Sequence, residues 1–123
     1  MSNIMAVLLN NIAQLEYNRD IPLPAHQAAY LDKMDEKMAK GIIVADKTVK
    51  NPELNQRAQF VSANLVHALK NDNEELAVSM CTWLADRMPE LKQVKIEENN
   101  GEVSIDLVFD EDYKKQVEVK FTH

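Results

Sequence analysis

The sequence has very little glycine: Gly41 and Gly101 are the only two among 123 residues. Average usage is about 7%, so roughly eight or nine would be ordinary for this length. Loops that bind phosphate through backbone amides need several closely spaced glycines, because a Cβ atom would hold the ligand away. The sequence therefore excludes a P-loop, a dinucleotide-binding fingerprint and a kinase-type glycine loop.

Cysteine, long apolar runs and excess positive charge are scarce as well. The single cysteine cannot form an intramolecular disulfide. No apolar run approaches the ~18 residues of a membrane span, and the first residues lack the basic flank of a signal peptide. The 20 acidic and 14 basic residues give a net charge of −6, which argues against electrostatic binding of nucleic acid or anionic lipid. We therefore expect a cytoplasmic protein that binds neither nucleic acid nor membrane.

Most of the chain up to Pro89 has apolar residues at helical spacing. The first helix is inferred from the positions of Ile4, Leu8 and Ile12, and the third follows a strong start signal at Asn51 and Pro52. Four helices are predicted, over about 4–17, 24–40, 52–70 and 74–88. Residues 42–50 fit either a short strand or apolar packing beneath a helix end.

After Lys92 the apolar period changes from 3.6 to 2, which indicates strands over about 93–98, 103–109 and 116–121. Asn100 and Gly101 form a strong hairpin-turn signal between the first two. A two-residue turn places Val94 opposite Leu107 and Ile96 opposite Ile105. In this register the apolar residues share one face, to which Val103 and Phe109 are also assigned.

Helices followed by strands indicate an α+β fold. We expect four N-terminal helices packed on a C-terminal three-stranded antiparallel β-meander, as a single domain over residues 1–123. Residues 90–123 contain nine acidic and five basic side chains, a net charge of −4, so this sheet would carry most of the negative excess.

No motif for catalysis or metal binding is present. The three histidines are far apart, and Cys81 lies within a helix, where a small buried hydrophobic role is more common than a metal or thiolate role. Ser62, Ser79 and Ser104 lie within helices or strands, without a nucleophile elbow. Adjacent carboxylates are typical of solvated helix faces and turns. We expect neither a metal nor a cofactor, and the sequence favours a protein that is not an enzyme.

Two predicted helices have more apolar surface than one core requires. Tyr30, Met34 and Met38 form a stripe on the second helix, and Met5 and Leu9 flank the main stripe of the first. Methionine-rich apolar surfaces are adaptable docking sites, although simple burial in the core explains the same pattern. The leading hypothesis is a small acidic protein-interaction or regulatory protein, bound to a protein partner or to itself.

Two alternatives belong to other classes. The first is a small-molecule-binding protein or enzyme with a pocket between helices and sheet, for which His67, Cys81 and Trp83, together with Tyr30, would supply polar and aromatic groups. The second treats the acidic meander as an electrostatic surface for a basic partner protein.

Overall fold

The computed structural model describes residues 3–44 and 46–114, which form two compact units. The sheet unit contains the described residues up to Asn18 and from Glu90 onward, and the helical unit contains those from Arg19 to Pro89. The strand predicted over 116–121 lies outside the described residues. The assignment of 1–123 to a single domain stays a prediction.

The described residues form three helices and six strands. In chain order these are β1 (Ile4–Leu9), β2 (Ile12–Asn18), α1 (Ala25–Ala39), β3 (Ile42–Val44), β4 (Lys47–Val49), α2 (Leu54–Lys70), α3 (Glu74–Arg87), β5 (Gln93–Asn99) and β6 (Glu102–Val108). The α+β class is right, but four helices on a three-stranded meander is wrong.

The first predicted helix, over 4–17, is instead the β1–β2 hairpin. Asn10 and Asn11 make its two-residue turn, with φ angles of 49° and 68° that asparagine tolerates better than most residues. The Asn10 side chain also accepts a hydrogen bond from the backbone N–H of Glu98 at 2.9 Å. The turn is therefore fixed both by its own backbone and by a contact with β5.

β1 is a central strand, and this explains why its pattern resembled a helix. The four-stranded sheet has the order β2-β1-β5-β6, with β1 parallel to β5 and the other two pairs antiparallel. Residues 5–8 of β1 are all buried. A short run that is apolar on both faces cannot be distinguished from a buried helix by its period.

The β5–β6 hairpin confirms the predicted turn and register. Val94 pairs with Leu107 and Ile96 with Ile105, and Asn100 and Gly101 both have positive φ. The predicted burial is wrong at two positions of this hairpin region, because Val103 is 40% and Phe109 42% exposed. Val103 is near the turn and Phe109 follows the end of β6, so both lie beyond the buried centre of the sheet.

The chain that follows β6 covers the face of the sheet that contains Ala6 and Leu8. Tyr113 is buried against Ala6 and Leu8, and its hydroxyl donates a 2.5 Å hydrogen bond to Glu16. Gln93 donates to the backbone carbonyl of Glu111 at 2.9 Å. A hydrogen bond from the same glutamine and one from Lys95 lower the pKa of the Glu111 carboxyl below its usual value.

The helical unit confirms the three remaining predicted helices to within about two residues. α1 follows Pro24, and Lys40 and Gly41 end it. α2 begins two residues later than its start signal suggested, because Glu53 is the N-cap and forms a capping box with Gln56. Asn73 caps α3 by accepting a hydrogen bond from the backbone of Leu76.

The ambiguous residues 42–50 include the small β3–β4 hairpin. Ile42 is buried and pairs with Val49, while Ile43 is exposed and pairs with Thr48. The backbone N–H of Asn51 donates to the carbonyl of Ala39 at 3.0 Å, which ties the end of this hairpin to the end of α1.

Candidate functional site

A groove lies between α1 and α3 within the helical unit. Its cavity volume is about 250 Å³, and it is lined by His26, Gln27, Tyr30, Leu31, Val78, Ser79 and Thr82. Tyr30 and Val78 are both 47% exposed, so each leaves apolar surface accessible to a ligand. Leu31 is buried and belongs to the core beneath.

The groove widens toward the first turn of α3, where it becomes acidic. Tyr30, Val78 and Ser79 are shared with a depression of about 660 Å³ that also contacts Glu74 and Glu75. Neither carboxylate forms an ion pair with another residue in the described ranges. Both lie in the first turn of α3, where a negative charge interacts favourably with the helix dipole. This end of the groove therefore presents negative charge beside apolar surface.

The serine and threonine hydroxyl groups in the groove are already hydrogen-bonded to the helix backbone. Ser79 Oγ donates to the carbonyl of Glu75 at 3.0 Å, and Thr82 Oγ1 donates to that of Val78 at 2.7 Å. Neither hydroxyl is paired with a base in the arrangement that nucleophilic catalysis requires. Besides the exposed polar side chains of His26 and Gln27, the groove offers a ligand apolar contact and carboxylates.

A cluster of charged and aromatic side chains connects the three helices. Asp35 Oδ1 on α1 accepts hydrogen bonds from Arg57 Nη1 on α2 at 3.2 Å and from Trp83 Nε1 on α3 at 3.0 Å. Its Oδ2 accepts from Arg87 Nε at 2.9 Å, and Arg87 also pairs with Asp32. One carboxylate thus satisfies a buried indole and two guanidinium groups.

The Arg87 guanidinium of this cluster stays charged over the ordinary pH range. Partial burial acts to lower the pKa of Arg87, but its hydrogen bonds and ion pairs with Asp35 and Asp86 outweigh burial and raise the pKa above its usual value. Because these contacts satisfy the groups of the cluster internally, we assign it a structural role rather than ligand binding.

The structure divides the five residues of the predicted interaction surface. Tyr30 is exposed and Met34 is half-buried, whereas Met38 is buried in the helical unit. Met5 is fully buried and Leu9 half-buried in β1 of the sheet unit. Since the first helix does not exist, a surface formed by two N-terminal helices is wrong, and Tyr30 is the exposed residue that the groove retains.

The structure does not bring His67, Cys81 and Trp83 to the groove. His67 is exposed and within 3.1 Å of the side-chain amide of Asn71. Burial raises the pKa of the Cys81 thiol to about 12, against a smaller opposite effect of Arg19. Trp83 is fully buried, with its N–H on Asp35.

Two features of this region were missed from the sequence. Val78 lies outside the buried side of α3, and an apolar residue outside such a side is a recognisable sign of exposed apolar surface. Asp35 and Glu36 are adjacent carboxylates, a pattern that indicates a solvated face, although a buried tryptophan on a helix needs an acceptor for its N–H.

Within the described ranges, no three His, Cys, Asp or Glu side chains are gathered to hold a metal ion. No helix among the described residues combines the length and apolar character required to cross a membrane. Comparison with protein families, with curated proteins and with solved structures finds no match.

Proposed function

We propose that this is a small acidic protein-interaction or regulatory protein that acts without catalysis and docks a partner in the groove between α1 and α3. The observation that carries the proposal is the pair of half-exposed apolar side chains, Tyr30 and Val78, facing one groove beside the carboxylates of Glu74 and Glu75. Because Cys81 is buried as a free thiol, the fold is compatible with a reducing compartment, and we propose the cytoplasm.

The chemistry of the groove specifies the kind of partner. Its narrow part between Tyr30 and Val78, with a volume of about 250 Å³, can accept one apolar side chain of a protein segment. The acidic end favours a lysine or arginine next to that side chain. We therefore propose a partner segment with an aliphatic or aromatic anchor and a basic flank.

The alternative of a small-molecule site built on His67, Cys81 and Trp83 has less support. Each of these side chains has a structural contact or is buried, and none of them lines the groove. The proposal of an acidic meander as an electrostatic surface is withdrawn, because that three-stranded sheet is not the one that forms.

A library of random peptides displayed on phage tests the docking groove even though the natural partner is unidentified. We expect selection on the wild-type protein to enrich peptides that carry an apolar anchor beside lysine or arginine. The affinity of the best peptide, measured by fluorescence anisotropy, should fall at least about tenfold in Val78→Lys, because the lysine fills the groove and repels the basic flank.

The variant is chosen so that folding is preserved. Val78→Lys introduces a lysine four residues after Glu74, and a glutamate–lysine pair at this spacing stabilises a helix. The matched control is Val103→Lys, which changes the same residue type at similar exposure and places the lysine opposite Glu98 in the β5–β6 hairpin. Equal affinity of the two variants for the selected peptide would refute the groove as the docking site.

A further inference from the structure

The β3–β4 hairpin has an exposed side on which an isoleucine lies beside a lysine. Ile43 is 66% exposed and pairs with Thr48. Lys50, two positions after Thr48, lies on the same side, and its Cγ is 3.9 Å from the place where a Cβ on Gly41 would be. An aliphatic side chain and a basic side chain are therefore adjacent on this side of the hairpin.

The surroundings of this hairpin are basic although the whole chain is acidic. Positions 40–50 contain Lys40, Lys47 and Lys50 against one acidic residue, Asp46. None of these lysines forms an ion pair within the described residues.

We infer that the occupant of the groove is the β3–β4 hairpin of a second copy of this chain. Ile43 of one copy enters between Tyr30 and Val78 of the next, and Lys50 then lies near Glu74 at the acidic end of the groove. The hairpin has the anchor and the basic flank that the groove requires. The inference rests on the proposed function, because it names the partner of the same groove.

The contact joins different surfaces of the two copies. Tyr30 lines the groove, and Lys40 is the C-cap of α1, just before the hairpin. Ten positions separate the two residues, which is about 15 Å at the rise of an α-helix. The hairpin of one copy therefore serves the groove of another copy rather than its own. Two copies either dock both hairpins reciprocally in a closed dimer, or leave one groove and one hairpin free, so that assembly continues into chains or a ring.

Sedimentation of the purified protein over a range of concentrations tests this assembly. We expect the average mass to rise with concentration above that of the monomer, and to fall in about 0.5 M salt because the exposed charges are screened. Val78→Lys blocks the groove and Ile43→Glu makes the hairpin acidic, so each variant alone should remain monomeric. Ile12→Glu is the matched control for the hairpin, since Ile12 is 63% exposed on β2, and it should assemble like the wild type.

Mixing the two blocked variants gives the decisive measurement. Val78→Lys retains an intact hairpin and Ile43→Glu an intact groove, so the mixture should form a one-to-one dimer and nothing larger. A wild-type protein that stays monomeric, or a mixture that forms no dimer, would overturn the inference. If the groove still binds the selected basic peptides in that case, the proposed function stands without the second copy; if those peptides also fail to bind, both proposals fall.

Discussion

Replacing Asp35 with alanine should destabilise the helical unit by about 2–4 kcal/mol. The largest part comes from Trp83, which is fully buried and would keep an indole N–H without an acceptor, at a cost of about 1–3 kcal/mol. The ion pairs contribute less, roughly 0–1 kcal/mol each, because Arg57 and Arg87 are 21% and 25% exposed and can turn toward water.

Urea unfolding followed by fluorescence measures this loss directly, because Trp83 is the only tryptophan and lies in the cluster itself. The melting temperature should fall by roughly 10 °C, since about 1 kcal/mol corresponds to ~4 °C at this chain length. Asp35→Asn keeps an oxygen that can accept from Trp83, so we expect an intermediate loss.

Asp32→Ala is the control for the loss of an aspartate on α1. Asp32 is 78% exposed, and its partner in the cluster is Arg87. Asp32→Ala should therefore lower the free energy of unfolding by less than about 1 kcal/mol. If Asp35→Ala is no more destabilising than Asp32→Ala, the assignment of the cluster as a structural centre is wrong.

Three further predictions concern single side chains. Ser62→Ala should leave stability unchanged or raise it by about 1 kcal/mol in thermal melts, because the buried Ser62 Oγ has no hydrogen-bond partner among the described residues; a loss would show that the hydroxyl is satisfied. The free energy of unfolding should fall by up to about 1.4 kcal/mol per pH unit above pH ~8.5. The reason is that the unfolded state releases the Cys81 proton there, while the folded thiol, with its pKa raised to about 12, keeps it. Urea titrations at pH ~8 and ~10 measure this loss in the wild type, and the loss due to the thiol should be absent in Cys81→Ala. Asn10→Ala should cost about 1–3 kcal/mol by strain at positive φ and the lost bond to the backbone of Glu98, whereas Asn10→Gly should relieve the strain and cost less in the same assay.

Elements with strong local signals were predictable from the sequence. α2 and α3 have caps and apolar stripes that act over a few residues, and the turn at Asn100 and Gly101 fixed the register of its hairpin through alternation. β1 was not predictable in this way. Its residues are apolar on both faces, and its parallel pairing with β5 depends on residues far along the chain that leave no local trace.

The candidate site was predictable only in part. Tyr30 was found because α1 was predicted correctly, and its exposure is a consequence of where the helix packs. Val78 became significant only when α3 was placed beside α1, a contact between segments that periodicity cannot supply. The role of Asp35 likewise depended on three helices meeting, since a carboxylate in a run of charged residues looks the same in sequence whether it is solvated or bound.

The parallel pairing of β1 with β5 has a consequence for synthesis on the ribosome. All three helices come between β1 and β5 in the sequence. At ordinary rates of translation β1 therefore leaves the ribosome several seconds before β5, the strand with which it pairs at the centre of the sheet. During that interval the β1–β2 hairpin exposes the apolar residues 5–8 and an unpaired strand edge, which are the features that promote aggregation. The helical unit is continuous in sequence and can fold as it emerges, whereas the sheet must wait for β5. This protein therefore most needs a chaperone during synthesis, before β5, which begins at Gln93, has left the ribosome.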